Sequence, residues 1–252
     1  GNNNVFLGTL AGESNFDGND NLFLGRLAGK NNSSGSSNVF LGNNSGFNNN
    51  DGASDLVFMG RNAGYNHMKG WNNTYIGNNS GHESGHATKN ICIGQNSGYY
   101  INQGDCNVCI GYKAGHGIPN TRDITSSTSN TKYGSNNLQN CIHIGTESGC
   151  NNIANNVVSI GTQSGCNNTG VNVIAIGNQS ASSNTGSNAL AIGISSGSRN
   201  IANDVVSIGN SAGQHNSLNS NNGNCIFMGI NAGKYNNWEW NGSTYFKDYY
   251  WD

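Results

Sequence analysis

The sequence has little charge, a single proline and no long apolar run, and each shortage narrows the class of protein. Lys and Arg total 11, Asp and Glu total 13, and the net charge is -2 over 252 residues. This balance gives no basic field for a phosphate backbone, so nucleic acid is not an expected partner. No segment approaches the roughly 18 apolar residues of a membrane span, so we expect no membrane insertion by this chain. The absence of an initial Met and of a leader predicts a segment of a longer protein.

Asparagine and glycine are abundant instead, with 51 and 38 copies. A polar, glycine-rich composition is typical of disordered chains as well as of some repeat proteins. A regular sequence period distinguishes the two, because a disordered chain has no need to return its apolar residues at a fixed spacing.

One skeleton recurs along the chain: an apolar triplet, a glycine, then a small residue and a second glycine. It reads NVFLGTLAG at residues 4–12 and NLFLGRLAG at residues 21–29. Its first glycine recurs mostly at steps of 16 to 18 residues, at Gly8, Gly25, Gly42, Gly60, Gly77, Gly94, Gly111, Gly145, Gly161, Gly177, Gly193, Gly209 and Gly229. Such repeats predict an all-β fold, a parallel β-solenoid of about thirteen coils over residues 1–233. The 34-residue step after Gly111 predicts an irregular loop or a degenerate coil at residues 116–140.

Each apolar triplet has the alternation of a short strand, whose neighbouring side chains point to opposite faces. We expect the two outer residues to enter the core and the central residue to point outward. The predicted outward stripe is aromatic at one end and small further on, and it gives a candidate subunit interface formed by Phe6, Phe23, Phe40, Phe58, Tyr75, Ala175 and Ala191. A ligand-binding strip, or a stripe covered by a flanking loop, is the alternative.

Small residues also recur after the first glycine of each repeat. Ala or Ser stands three positions later, and Gly stands four positions later except at Ala181. We expect these residues to let the backbone bend tightly over a narrow core. Asn side chains are expected to form ladders between successive coils.

The repeats of about residues 4–233 resemble those of a known family. Val157–Gly161, Val173–Gly177 and Ala189–Gly193 are similar to the head repeats of YadA-type trimeric autotransporter adhesins, and related repeats occur in phage and viral fibre proteins. The resemblance implies a left-handed parallel β-roll in which three chains pack side by side. The repeat here is longer than the family's typical one, and the first four central positions carry Phe where the adhesins have Ala.

The function this predicts is non-enzymatic: a homotrimeric fibre or adhesin head, extracellular on a cell or virion surface, that attaches to a host or cell-surface receptor with a glycan among the candidate ligands. The alternatives are a structural spacer with recognition elsewhere and a carbohydrate-active solenoid enzyme. Residues 234–252 are rich in aromatics and predict a cap for the solenoid or a receptor-binding tip. The candidate tip residues are Trp238, Trp240, Tyr245 and Trp251.

Two motifs suggest metal binding but are better explained otherwise, and we expect no metal and no cofactor. His82-Glu83-Ser84-Gly85-His86 matches a zinc-protease string, yet its glycines oppose the helix that this chemistry needs, so a turn is predicted. Cys106 and Cys109 form a CxxC pair without a second pair. Stacked coils also place Cys92 near Cys109 and Cys150 near Cys166, within disulfide distance. We expect mostly free thiols.

Overall fold

Thirteen short β-strands, one per repeat, form the framework of the chain. A computed structural model describes residues 1–117, 138–217 and 224–235. The strands are β1 (Val5–Leu7), β2 (Leu22–Leu24), β3 (Val39–Leu41), β4 (Val57–Met59), β5 (Thr74–Ile76), β6 (Ile91–Ile93), β7 (Val108–Ile110), β8 (Ile142–Ile144), β9 (Val157–Ile160), β10 (Val173–Ile176), β11 (Leu190–Ile192), β12 (Val205–Ile208) and β13 (Cys225–Met228).

The strands form one parallel sheet in which each strand pairs with the next along the chain. Equivalent residues of successive repeats are in register, as Phe23 is with Phe40. The chain therefore winds as a β-solenoid of about twelve turns, which confirms the predicted fold class. β7 pairs directly with β8, so the 34-residue step spans one interval of the sheet. In the described residues there is no helix that is long and apolar enough to cross a membrane.

The predicted orientation of the strand triplets is wrong. The central residue points into the coil, and the two flanking residues point out. Phe23, Phe40, Phe58 and Tyr75 are fully buried, and their rings stack on one another through successive coils at centroid distances of 4.8 to 5.0 Å. Ala175 and Ala191 occupy the same interior column and are also buried. Phe6 continues the stack at 4.9 Å from Phe23 and is partly exposed because β1 begins the sheet.

The second glycine of the skeleton explains this orientation. Gly46 lies across the narrow coil from Phe40, and a Cβ added to Gly46 would stand 2.4 Å from the Phe40 ring. Its φ of +59° is also a conformation that glycine adopts without strain. The glycine thus leaves room for the central side chain to fill the interior, and this column cannot be a subunit interface, a ligand-binding strip or a covered surface stripe.

The predicted asparagine ladders are confirmed inside the coils. Asn168, Asn184 and Asn200 are buried, and each donates from Nδ2 to the Oδ1 of the equivalent residue one coil earlier at 2.9 to 3.0 Å. Each also donates to a backbone carbonyl of its own turn at 2.6 to 2.7 Å. These bonds satisfy amides that would otherwise be buried without partners, so the ladders help to fix the stacking of the coils.

Candidate functional site

Because the central residues are interior, the flanking residues of every strand form an outer surface, which we call the aliphatic face. All of them are exposed or half-buried, and only Thr74 is not an apolar residue. One column is Val5, Leu22, Val39, Val57, Thr74, Ile91, Val108, Ile142, Val158, Ile174, Leu190, Val206 and Ile226. The other column is Leu7, Leu24, Leu41, Met59, Ile76, Ile93, Ile110, Ile144, Ile160, Ile176, Ile192, Ile208 and Met228.

The aliphatic face is large for a surface exposed to water. Strands about 4.8 Å apart make it about 58 Å long, and two columns make it about 10 Å wide, so its flat footprint is about 600 Å². The largest apolar patch on a typical monomer covers about 300–600 Å². Several side chains in the middle of the face still expose more than a third of their surface, for example 36% at both Ile93 and Ile110. A face of this size and composition is suited to contact with another protein surface.

A second surface feature lies near the opposite wall of the coil, five residues after the first glycine of each repeat. Rings at this position stack from coil to coil and form what we call the outer aromatic ladder. Successive centroids are 4.9, 5.0, 4.7 and 5.6 Å apart. Its members, all half-buried, are Phe47, Tyr65, His82, Tyr99 and His116. Because the preceding residue, such as Gly46, packs across the interior from the strand, this ladder does not lie on the aliphatic face.

A row of polar side chains runs beside the outer aromatic ladder, one residue further along each repeat. Asn31 donates to Asn48 at 2.8 Å, Asn48 donates to Asn66 at 2.7 Å, and Asn66 donates to both carboxylate oxygens of Glu83 at 2.9 Å. His82 Nδ1 is 2.9 Å from Glu83 Oε1. Partial burial alone would raise the pKa of Glu83, but the hydrogen bonds from His82 and Asn66 hold this pKa below its usual value. Glu83 is therefore ionised and well compensated at neutral pH.

The surroundings also shift the pKa values of the last two members of the ladder, Tyr99 and His116. Burial, with the nearby Tyr100 and Glu83, raises the pKa of Tyr99. Burial, with the nearby Lys113, lowers the pKa of His116. Both groups are consequently neutral at pH 7, where they act as hydrogen-bonding groups without charge.

The zinc-protease string forms a turn, as predicted, and its two histidines lie in different surroundings. His82 belongs to the outer aromatic ladder, whereas His86 is exposed on the next part of the turn. The CxxC pair is also divided, because Cys106 is exposed and Cys109 is buried. Within the described residues, no group of three or more His, Cys, Asp or Glu side chains is arranged to hold a metal ion.

Of the two cysteine pairs that stacked coils bring within disulfide distance, one forms a disulfide. Cys150 and Cys166 form a disulfide across successive coils, with a Cα–Cα distance of 4.6 Å. Cys92 and Cys109 are in register on β6 and β7 but carry free, buried thiols. The neighbouring Cys109 thiol and burial both raise the pKa of Cys92 well above its usual value. The Cys92 thiol is therefore protonated, and both interior cysteines are small core residues.

The sequence identified neither surface feature. The candidate interface residues lie in the interior, as described above, and the candidate tip residues Trp238, Trp240, Tyr245 and Trp251 lie outside the described residues. The outer aromatic ladder had a usable signal, because Cys150 and Cys166 share its position in their own repeats. Extending that column toward the N-terminus gives the ladder directly.

Comparison of the chain with protein-family models, with curated proteins and with solved structures gives no match. The features of the chain that bear on its function are therefore the solenoid, its aliphatic face and its outer aromatic ladder.

Proposed function

We propose that the chain is a non-enzymatic fibre or head module that assembles as a homotrimer through the aliphatic face and holds binding surfaces away from an anchor. The observation that carries this proposal is the continuity of that face over all thirteen strands. Burying it between copies removes the apolar surface from water, which is favourable by about 25 cal/mol per Å². Three flat faces close around a threefold axis and leave no open apolar surface for further growth.

The size of the face supports stable association. A stable two-chain interface typically buries about 1,600 Å² of accessible surface in total, and three faces of about 600 Å² together bury about 1,800 Å² in a closed trimer. The footprint of about 600 Å² understates the accessible area, because projecting side chains expose their flanks as well as their tips. In a trimer each chain shares this face between two neighbours, so the assembly buries three copies of the face along its whole length.

The cross-coil disulfide supports an extracellular location. Disulfides persist in oxidising environments and are rare where thiols are kept reduced. Cys150 is half-exposed, so its bond to Cys166 would be within reach of cytosolic reductants. A cell or virion surface fits both this bond and a rigid, extended solenoid. Attachment to a host or cell-surface receptor is the role proposed for the trimer, and a pure spacer is the rival within the same architecture.

Solution mass tests the assembly. Light scattering of the 26.4 kDa chain should give about 79 kDa, three times the monomer mass. The double substitution Ile93→Glu with Ile110→Glu places charges in the middle of the aliphatic face and should give about 26 kDa, because an unpaired buried charge is costly. Ile201→Glu is the matched control: Ile201 is 44% exposed but lies outside this face, so its mass should stay at about 79 kDa. A monomeric wild-type protein, or a trimeric double variant, would overturn the proposal.

Attachment is tested separately from assembly. Fluorescently labelled trimer should bind a cultured cell panel and the Ile93→Glu, Ile110→Glu monomer should bind it much more weakly, because three copies raise avidity by effective concentration. A trimer that binds no cell in the panel would favour the spacer.

A further inference from the structure

The fold does not require aromatic residues at the position of the outer aromatic ladder. The strands of the later described repeats pair in the same continuous sheet, although the equivalent residues there are Cys150, Cys166, Ser182, Ser198, Gln214 and Lys234. Small side chains are thus sufficient to build the turn. The aromatic rings are confined to five consecutive described coils, which marks a local patch and not a general property of the repeat.

The patch combines ring edges with uncharged hydrogen-bonding groups at a regular spacing. The stacked rings cover one another's faces, so their edges, the phenol groups of Tyr65 and Tyr99 and the imidazole of His82 are directed along the ladder's outer side or along its flank. In the adjacent polar row, Asn31 and Asn48 each use one N–H for the next coil and keep a second N–H for another partner. The row's carboxylate, on Glu83, is compensated by His82 and Asn66.

Tyr100 adds a ring that is outside the stack. Its plane is tilted by 59° from Tyr99 and by 88° from His116, at centroid distances of 4.6 and 5.5 Å. Since its ring is not parallel to its neighbours, Tyr100 offers part of a ring face as well as a hydroxyl group, next to the ladder's edge. A ring face beside a row of hydrogen-bonding groups is suited to a ligand that has both C–H surfaces and hydroxyl groups.

From these observations we propose that the outer aromatic ladder, with its polar row and Tyr100, binds an uncharged glycan chain that runs parallel to the solenoid axis. A linear polymer of hydroxylated rings matches a surface whose aromatic rings repeat once per coil, with the amides of Asn48 and Asn66 beside them. An acidic polymer would need cationic partners along its length. Two cations lie near the ends of this ladder: Lys30, with Nζ 5.7 Å from the Phe47 ring centroid, and Lys113, near His116. The inference rests on the proposed function, because a trimer closed by the aliphatic face leaves the ladder in contact with water.

A glycan microarray that contains neutral and acidic oligosaccharides tests this inference with the intact chain. The wild-type protein should bind neutral chains of several sugars. The triple substitution Tyr65→Ser, His82→Ser and Tyr99→Ser installs the residue found at Ser182 and Ser198, and it should weaken this binding at least about tenfold. Phe16→Ser removes an exposed ring outside the ladder and should leave binding unchanged.

Light scattering of the same samples separates this inference from the proposed assembly. A trimer of about 79 kDa that binds no neutral glycan on the array would overturn the glycan site while leaving the trimer in place. Binding restricted to acidic glycans, or equal binding by the wild-type protein and a trimeric triple variant, would also overturn it. Loss of binding by a triple variant that is still trimeric, with binding retained by Phe16→Ser, would support it.

Discussion

The N-terminal and C-terminal coils fill the same interior in opposite ways. In the coils of β2, β3 and β5 the central strand residue is an aromatic ring, as Phe40 is, and a buried Asn stands two residues before it, as Asn38 does. In the coils of β9, β10 and β12 the central residue is small, as Ala175 is, and a buried Val stands two residues before it, as Val173 does. Volume lost at one position is thus restored at its neighbour, which agrees with the close packing of protein interiors.

The exchange of Asn for Val also changes how successive coils are joined. Asn21 Oδ1 accepts from the backbone N–H of Asn38 at 3.0 Å, and Asn38 Nδ2 donates to the carbonyl of Ala53 at 3.0 Å. In the later coils, Val157 and Val173 are themselves paired strand residues. At this position a side-chain amide therefore supplies the hydrogen bonds between successive coils in the longer repeats. Backbone pairing between strands supplies them in the shorter repeats.

The largest expected effect comes from removing a ring from the aromatic interior. Phe40→Ala leaves a cavity between Phe23 and Phe58, and we expect the free energy of unfolding to fall by about 3–5 kcal/mol. Ala is the native residue at position 175, but there a buried Val stands two residues earlier and fills the space. The equivalent residue before Phe40 is Asn38, so the cavity stays open. Phe16→Ala, at an exposed ring, should change stability by less than about 0.5 kcal/mol. Denaturant unfolding measures both, and equal small losses would contradict the interior position of Phe40.

The second-largest expected effect is a loss of stability in acid, which should be greater in the coils that contain His67 and His143 than in β9 to β12. His67 and His143 are fully buried in the coils of β4 and β8, and burial lowers the pKa of each from 6.5 to about 4. The folded state therefore favours the neutral imidazole. The stability this provides is complete above about pH 6.5 and decreases as the pH falls toward 4. The difference of about 2.5 pKa units corresponds to about 3 kcal/mol for each histidine.

Hydrogen exchange at pH 7 and pH 4.5, corrected for intrinsic rates, should show protection lost first around β4 to β8 and retained longer in β9 to β12. His67→Asn is a matched variant, because Asn32 and Asn49 occupy the same position in their repeats. It should remove the contribution of His67 to the acid sensitivity. An acid profile that His67→Asn leaves unchanged would show that this imidazole is not buried in its neutral form.

The sequence was sufficient to predict the solenoid, its parallel strands and its asparagine ladders, because these follow from the period and from residue type. It was not sufficient to orient the strands. Alternation separates two faces without saying which is interior, and here both faces are apolar: Val39 and Leu41 lie on one side of β3 and Phe40 on the other. The flanking residues are almost always apolar whereas the central residue varies from Phe to Ser, and this contrast favoured the wrong face.

One residue contained the missing information. Ala181 replaces the second glycine of its repeat, and it does so in the coil whose central residue is Ala175. A Cβ is tolerated there because the side chain opposite is small. If the central residue pointed away from the coil, its size would not be related to the residue at position 181. The pairing of these two alanines therefore indicates that the central column is interior.

The contact between the second glycine of a repeat and the central strand residue gives the prediction with the smallest expected effect on stability. Gly46 and Gly197 have nearly equal φ values of +59° and +58°, so Ala at either position has a backbone cost of about 1–2 kcal/mol. A Cβ on Gly46 would be 2.4 Å from the Phe40 ring, whereas one on Gly197 would be 3.0 Å from the Ala191 Cβ. We expect Gly46→Ala to cost about 1–3 kcal/mol more than Gly197→Ala, because only the first overpacks the interior.

A double-mutant cycle isolates that difference from the backbone cost. In a Phe40→Ala background the ring is gone, so Gly46→Ala should cost no more than Gly197→Ala does in the wild-type protein, and the coupling between residues 40 and 46 should equal the overpacking energy. Denaturant unfolding of the four proteins in the cycle measures this coupling. A coupling near zero would mean that Phe40 and Gly46 do not meet across the coil. The explanation of the repeat's second glycine, and with it the assignment of the aliphatic face as the outer surface, would then be wrong.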